Sequence, residues 1–83
     1  MYQVILRKEA GKSLAKIDRR FILKIQTAIN ILQFDPYLGK ALEGDMKGKY
    51  SIRVWPYRII YEIYQGKLLI LVLAIKHRQN AYK

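Results

Sequence analysis

Two short stretches hold the residues best suited to chemistry: "RVWPYR" at positions 53 to 58 and "IKHRQNAYK" at 75 to 83. Both flanks of the first stretch, Tyr50-Ser51-Ile52 and Ile59-Ile60-Tyr61-Glu62-Ile63-Tyr64, have the β-branched and aromatic composition of strands. A central proline predicts a reversal. With the turn on Trp55-Pro56, Val54 pairs with Tyr57 and Arg53 lies opposite Arg58. Like charges directly opposite in a sheet repel. The planar, permanently charged fork of arginine suits oxyanions, so an anion between the two would explain the arrangement. An ordinary solvated face, with Glu62 relieving some of the charge, is the competing explanation. In the second stretch Lys76, His77, Arg78, Tyr82 and Lys83 fall close together. Alone, His77 would be given no role; beside Arg78 its proton exchange near neutral pH gains interest. Neighbours on a strand face opposite ways, so His77 and Arg78 serve one site only where the strand ends. Tyr82 has a simpler alternative as a packing anchor.

The elements that must position these residues are legible from periodicity. "YQVILR" at 2 to 7 predicts a first strand, ended by Gly11. Leu14, Ile17, Phe21, Ile22, Ile25, Ala28, Ile29 and Leu32 repeat at helical spacing with one apolar face. Asp18 interrupts them as an expected N-cap, which predicts a short helix near 11 to 17 and a longer one from about 19 to 34. Pro36, Gly39, Gly44 and Gly48 make 35 to 48 a loop. Three strands follow, at about 49 to 54, 57 to 64 and 68 to 77, the last two joined at "YQGK" with Gly66 free to take positive φ. "LLILVLAI" at 68 to 75 shows no alternation, so its strand should lie centrally, between the first strand and the hairpin. The fold class is α+β, in the order β-α-α-β-β-β. The two N-terminal helices pack on one face of a small, mainly antiparallel sheet. Alternation puts Lys49, Ser51, Ile60 and Glu62 on the side of the two arginines, and Tyr50, Ile52, Val54, Tyr57, Ile59 and Tyr61 on the helix side.

With 83 residues, the chain makes one domain, 1–83, around one core. No repeat or linker divides it. Sixteen Lys and Arg against six Asp and Glu leave a formal net charge of +10. That balance predicts a polyanionic partner, nucleic acid ahead of an acidic protein or an anionic membrane. The lack of cysteine excludes a disulfide scaffold and thiolate metal sites and fits a reducing, cytoplasmic setting. One histidine cannot build a histidine-rich metal site. No stretch reads as a signal peptide, and the longest apolar run is too short to span a bilayer.

The ordered set "LEGDMKGKY", "YSIRVWPYRIIYEI" and "LLILVLAIKHRQNAYK" resembles the RelE type of toxin in the RelE/ParE superfamily. The matching features are an L-x-G loop, an aromatic-x-hydrophobic-Arg strand, a turn, "YR" with apolar residues and Tyr, and a closing strand ending in "HR" near a tyrosine. The likeness covers essentially the whole chain and is strongest from Leu42 to Tyr82; the helices share only amphipathicity. Trp55-Pro56 stands where the family more usually has Gly-Asp or Gly-Asn. The resemblance implies a toxin of a type II toxin–antitoxin system, held by a cognate acidic antitoxin. It also implies a ribosome-dependent endoribonuclease that cuts mRNA in the decoding site without metal or other cofactor. Carried over by position, Arg53 matches a basic strand residue and Arg58 the arginine that contacts phosphate. Arg78 matches the basic residue ending the last strand, and Tyr82 the C-terminal tyrosine. His77 joins these as a catalytic candidate, while Lys47, Lys49, Lys76 and Lys83 are candidates for RNA and ribosome binding. In such cleavage the 2′-hydroxyl attacks the adjacent phosphorus and expels the 5′-oxygen. Preorganised guanidinium groups stabilise the charge that gathers on the phosphoryl oxygens. Cationic surroundings also make Tyr or Lys a feasible base. Three alternatives stand beside this reading: a ParE-like toxin that poisons DNA gyrase, a catalytically inert basic RNA-binding module, and a degenerate toxin whose Trp55-Pro56 turn displaces the arginines.

Overall fold

In the computed structural model, which describes residues 1–78, the chain opens with a short strand, Gln3–Leu6 (β1), and enters a helix almost at once. That helix, Lys8–Lys16 (α1), begins three residues earlier than periodicity suggests and runs through Gly11. Glycine inside a helix costs only about 1 kcal/mol relative to alanine. Here the Gly11 N–H donates to the Arg7 carbonyl at 2.9 Å, and neighbouring Ala10 is fully buried. Gly11 is therefore a helix residue and not the end of a strand. The second helix, Arg19–Leu32 (α2), starts where expected, because an Asp18 carboxylate oxygen accepts from the Arg20 N–H at 2.9 Å. This bond, with help from the Arg20 side chain, holds the Asp18 carboxyl below its ordinary range.

Four further strands follow: Lys40–Ala41 (β2), Tyr50–Val54 (β3), Tyr57–Tyr64 (β4) and Leu69–His77 (β5). The sheet order is β1-β5-β4-β3-β2, with β1 parallel to β5 and every other pair antiparallel. The apolar β5 is thus interior, between β1 and the hairpin. The expected fold class is the observed one, with β2 as an additional strand inside the stretch that reads as a loop. What makes this segment lie on the sheet is distant in sequence. The Tyr61 hydroxyl accepts from the Gly39 N–H at 3.0 Å and donates to the Pro36 carbonyl at 2.8 Å. A Cβ on Gly39 would stand 2.5 Å from that hydroxyl, so only glycine lets the chain approach this closely. The β4–β5 connection also differs from expectation. Gln65–Lys67 forms a single 3₁₀ turn, and the left-handed residue is Leu68, with φ 49°, instead of Gly66.

The unbroken apolar run of β5 has a specific cause. Ile60 pairs with Ala74, but Tyr61 pairs with Val72, leaving Leu73 as an extra residue in a bulge. Ile75 and Val72, three apart, thereby both join the helix-side core with Ile70. That core unites Ala10, Ile17, Ile25, Ala28, Ile29 and Leu32 of the helical layer with Ile59 and Tyr61 of β4. Tyr50, Ile52, Val54 and Tyr57 pack against it as alternation requires. On the opposite side of the sheet Ser51, Ile60 and Leu73 are buried outside this core. The second face therefore has an apolar floor of its own.

Candidate functional site

The Trp55-Pro56 turn sets the register that matters. Val54 pairs with Tyr57 and Arg53 with Arg58 across β3 and β4, and Arg58 pairs in turn with Lys76 of β5. Three cations so form one row across three strands, on the side of the sheet away from the helices. Directly paired residues sit about 5 Å apart at their Cα atoms, so these long side chains can converge on one group. Arg53 and Lys76 are exposed and Arg58 is half-buried. The next row on this face runs Lys40, Ser51, Ile60, Ala74, and it brings in a cation that sequence reasoning missed. Lys40 belongs to the two-residue strand β2, which no local pattern announces. Lys49 stands just before β3 on the same side by alternation, and Lys47 and Lys49 border a recess with Leu42, Glu43 and Gly48.

The face is floored by Ile60, Leu73 and Ser51, whose hydroxyl is buried and makes no hydrogen bond among the described residues. Its charge is mainly positive. Arg7 pairs with Glu9 and Arg20 with Asp18, both outside the row. Glu62, further along β4, accepts from the Tyr64 hydroxyl at 2.9 Å, and that bond to a carboxylate raises the Tyr64 pKa. Burial likewise raises that of Tyr61, the residue that anchors the β2 segment. Among the described residues no group of three or more His, Cys, Asp and Glu is placed to hold a metal ion.

The second expected cluster divides. Lys76 enters the row beside Arg58, whereas His77 pairs with Tyr57 and lies on the helix side. Its ring meets the Tyr57 ring edge-on at 5.4 Å, and Tyr57 meets Phe21 of α2 at 5.8 Å. Strand parity thus separates His77 from the arginines. Arg78 follows the end of β5. Its N–H donates to the Pro56 carbonyl at 2.8 Å, and its guanidinium lies 4.8 Å from the centre of the Trp55 ring. Trp55 is a second residue that the sequence did not mark for a positive role, although a tryptophan in a two-residue turn is an unusual signal. Tyr82 and Lys83 lie outside the described residues.

With this geometry in view, the comparisons with known proteins are informative. The family model described as "ParE toxin of type II toxin-antitoxin system, parDE" matches residues 4–82. The chain is 27% identical to Toxin RelG of Mycobacterium tuberculosis, over 99% of this chain and 97% of the relative. Among solved structures it is similar to the toxin–antitoxin complex RelBE2 of M. tuberculosis, with a TM-score of 0.86 and 26% identity, covering 93% of this chain and 98% of the other. It is also similar to the archaeal RelE–RelB complex of Pyrococcus horikoshii, with a TM-score of 0.82 and 26% identity, covering 96% and 98%.

Proposed function

The chain belongs to the ParE toxin family of type II toxin–antitoxin systems, and from that premise we propose that it is a ribosome-dependent mRNA endoribonuclease. The observation that carries the proposal is the row Arg53, Arg58 and Lys76 on an exposed, mainly positive face. RNA supplies its own nucleophile. The 2′-oxygen bonds to the adjacent phosphorus, the bond from phosphorus to the 5′-oxygen breaks, and a 2′,3′-cyclic phosphate and a 5′-hydroxyl result. One proton leaves the 2′-hydroxyl and one reaches the departing 5′-oxygen. Between these events charge builds on the non-bridging oxygens, and the forks of Arg53 and Arg58 are assigned to that charge. Removing one such preorganised donor commonly costs about 10²–10³ in rate. Arg78 closes the row from the end of β5, and Tyr82 is assigned one proton transfer. The ring of His77 faces Tyr57, so no direct transfer is given to it. Lys40, Lys47 and Lys49 extend the charge along the RNA backbone, which they hold without reading sequence.

Few bases are within reach, so the enzyme is proposed to be slow on free RNA. The ribosome supplies the in-line alignment, a contribution of several kcal/mol. The partner that holds the toxin inactive is proposed to be a cognate acidic antitoxin, in keeping with the formal charge of +10 and with relatives crystallised in toxin–antitoxin complexes. A second reading, poisoning of DNA gyrase, is favoured by the family description, which is named for ParE.

The deciding experiment compares wild type with Arg58→Lys, which keeps the charge and loses the fork. Cleavage on mRNA-programmed ribosomes is followed by mapping of RNA ends, with ribosome affinity and gyrase supercoiling measured in parallel. The expected outcome is at least tenfold slower cleavage at unchanged affinity, since the other cations maintain nonspecific attraction. Wild-type cleavage by Arg58→Lys would sink the clamp role. Gyrase inhibition without RNA cleavage would replace the whole reading.

A further inference from the structure

We propose that Trp55 is a positioning residue for Arg78: the turn of the β3–β4 hairpin is a mount that holds this guanidinium beside the end of the cationic row. The inference rests on the endoribonuclease reading and on the part given there to Arg78. Three observations lead to it. A two-residue reversal needs proline or glycine and has no need of tryptophan; yet Trp55 stands there, 58% exposed. Trp55 borders a recess with Val54 and with Leu23, Lys24 and Thr27 of α2, and its ring also makes a specific contact. That contact is on the ring face, where the Arg78 guanidinium lies 4.8 Å from the ring centre, inside the range of a cation–π interaction. Finally, the other residue of the same turn holds the Arg78 backbone, the Pro56 carbonyl accepting its N–H at 2.8 Å.

Together these contacts fix both ends of the residue. β5 proper stops at His77, and beyond it an arginine would move through many rotamers. The Pro56 bond extends the strand's pairing by one step and sets where the Arg78 side chain starts. The Trp55 ring then restricts where its charged end rests. Since both supports belong to the turn that puts Arg53 opposite Arg58, the three guanidinium groups share one rigid reference. A Trp55-Pro56 turn therefore organises the cationic site, contrary to the reading in which it displaces the arginines. The effect expected is modest, because a cation–π contact at an exposed site is weak.

Trp55 is the only tryptophan of the chain, so the contact has its own spectroscopic signal. Arg78→Ala uncovers one ring face and should increase acrylamide quenching of the intrinsic fluorescence. Unchanged quenching overturns the mount whether or not the protein cuts RNA. The kinetic test uses Trp55→Ala, Trp55→Tyr, Arg78→Ala and the double variant Trp55→Ala/Arg78→Ala. Single-turnover mRNA cleavage and affinity are measured on programmed ribosomes. Trp55→Ala should slow cleavage about three- to tenfold, at unchanged affinity. Trp55→Tyr, which keeps a π face, should recover most of the rate, and Trp55→Ala should cost nothing further once Arg78 is alanine. A full loss in the Arg78→Ala background would mean that Trp55 acts on the RNA by itself, and the positioning role would be wrong. If Trp55→Ala does not fold, Trp55→Leu replaces it, keeping apolar bulk without a ring; a wild-type rate in that variant also overturns the proposal. No ribosomal cleavage by wild type, with the quenching change present, would leave the mount standing as a contact and remove the endoribonuclease reading.

Discussion

The two faces of the β3–β4 hairpin are made by one stretch of backbone and obey opposite rules. Toward the helices stand Tyr50, Ile52, Val54, Tyr57, Ile59 and Tyr61, all in or against the main core. Toward the other side stand Ser51, Arg53, Arg58 and Ile60, with a hydroxyl that has no partner among the described residues and two paired arginines. The first face is what an optimiser of stability would write. The second gives up stability, through like charges opposite one another and a buried hydroxyl with no hydrogen-bond partner among the described residues. Such a difference within one register teaches where selection for folding yields to selection for something else. It also makes the faces separable by mutation.

The largest expected effect is on the helix side. Ile59→Ala removes a fully buried side chain and should cost about 2–5 kcal/mol. Urea unfolding measures it, and cleavage per folded molecule should stay near wild type. Arg58→Ala should do the reverse: cleavage falls about 10²–10³-fold, while the unfolding midpoint moves far less than in Ile59→Ala. Equal losses in both assays for either variant would break the division. Tyr61→Phe lies between them, because it leaves the Gly39 N–H and the Pro36 carbonyl without their partner. A cost of about 1–3 kcal/mol is expected, with hydrogen exchange quickening first at Gly39. Arg53→Ala sharpens the contrast further. Removing one of two opposed charges should stabilise the fold by about 0.2–1 kcal/mol while slowing cleavage, a combination that a purely structural role would not give.

The smallest effect is a control outside both faces. The Asp18 pKa is lowered in the folded protein, so the carboxylate contributes stability above its unfolded pKa. That contribution fades as pH falls through the lower, folded value. Asn still caps a helix, so wild type should exceed Asp18→Asn slightly near neutrality and lose that advantage in acid. Thermal midpoints against pH test the sign. A difference that grows on acidification would contradict the capping account.

The hairpin register was legible because one proline and two alternating runs leave few choices; the opposition of Arg53 and Arg58 followed from it. The interior place of β5 was legible from its apolar run, but the bulge at Leu73 was not, since nothing local distinguishes the skipped residue from its neighbours. β2 was hidden for another reason. Its two residues are held through Gly39 and Tyr61, partners far apart in sequence, so Lys40 looked like a loop lysine. The opposite sides of Lys76 and His77 follow strand parity, yet which of the two faces Arg58 depends on a register known only from the folded sheet. Arg78 needed the structure most, because its supports are a ring and a carbonyl on another hairpin.

The parallel pairing of β1 with β5 has a consequence for the timing of synthesis. Gln3 bonds across to the strand that begins at Leu69, so the earliest strand made must wait for the latest of those described. Until β5 emerges, β1 and β4 have no neighbour between them, and Arg58 has no Lys76 beside it. Sheets closed by such distant segments form late, since the entropy of closing the loop comes before the reward of the contact. The row of Arg53, Arg58 and Lys76 is therefore complete only once nearly all of the described sheet has been made.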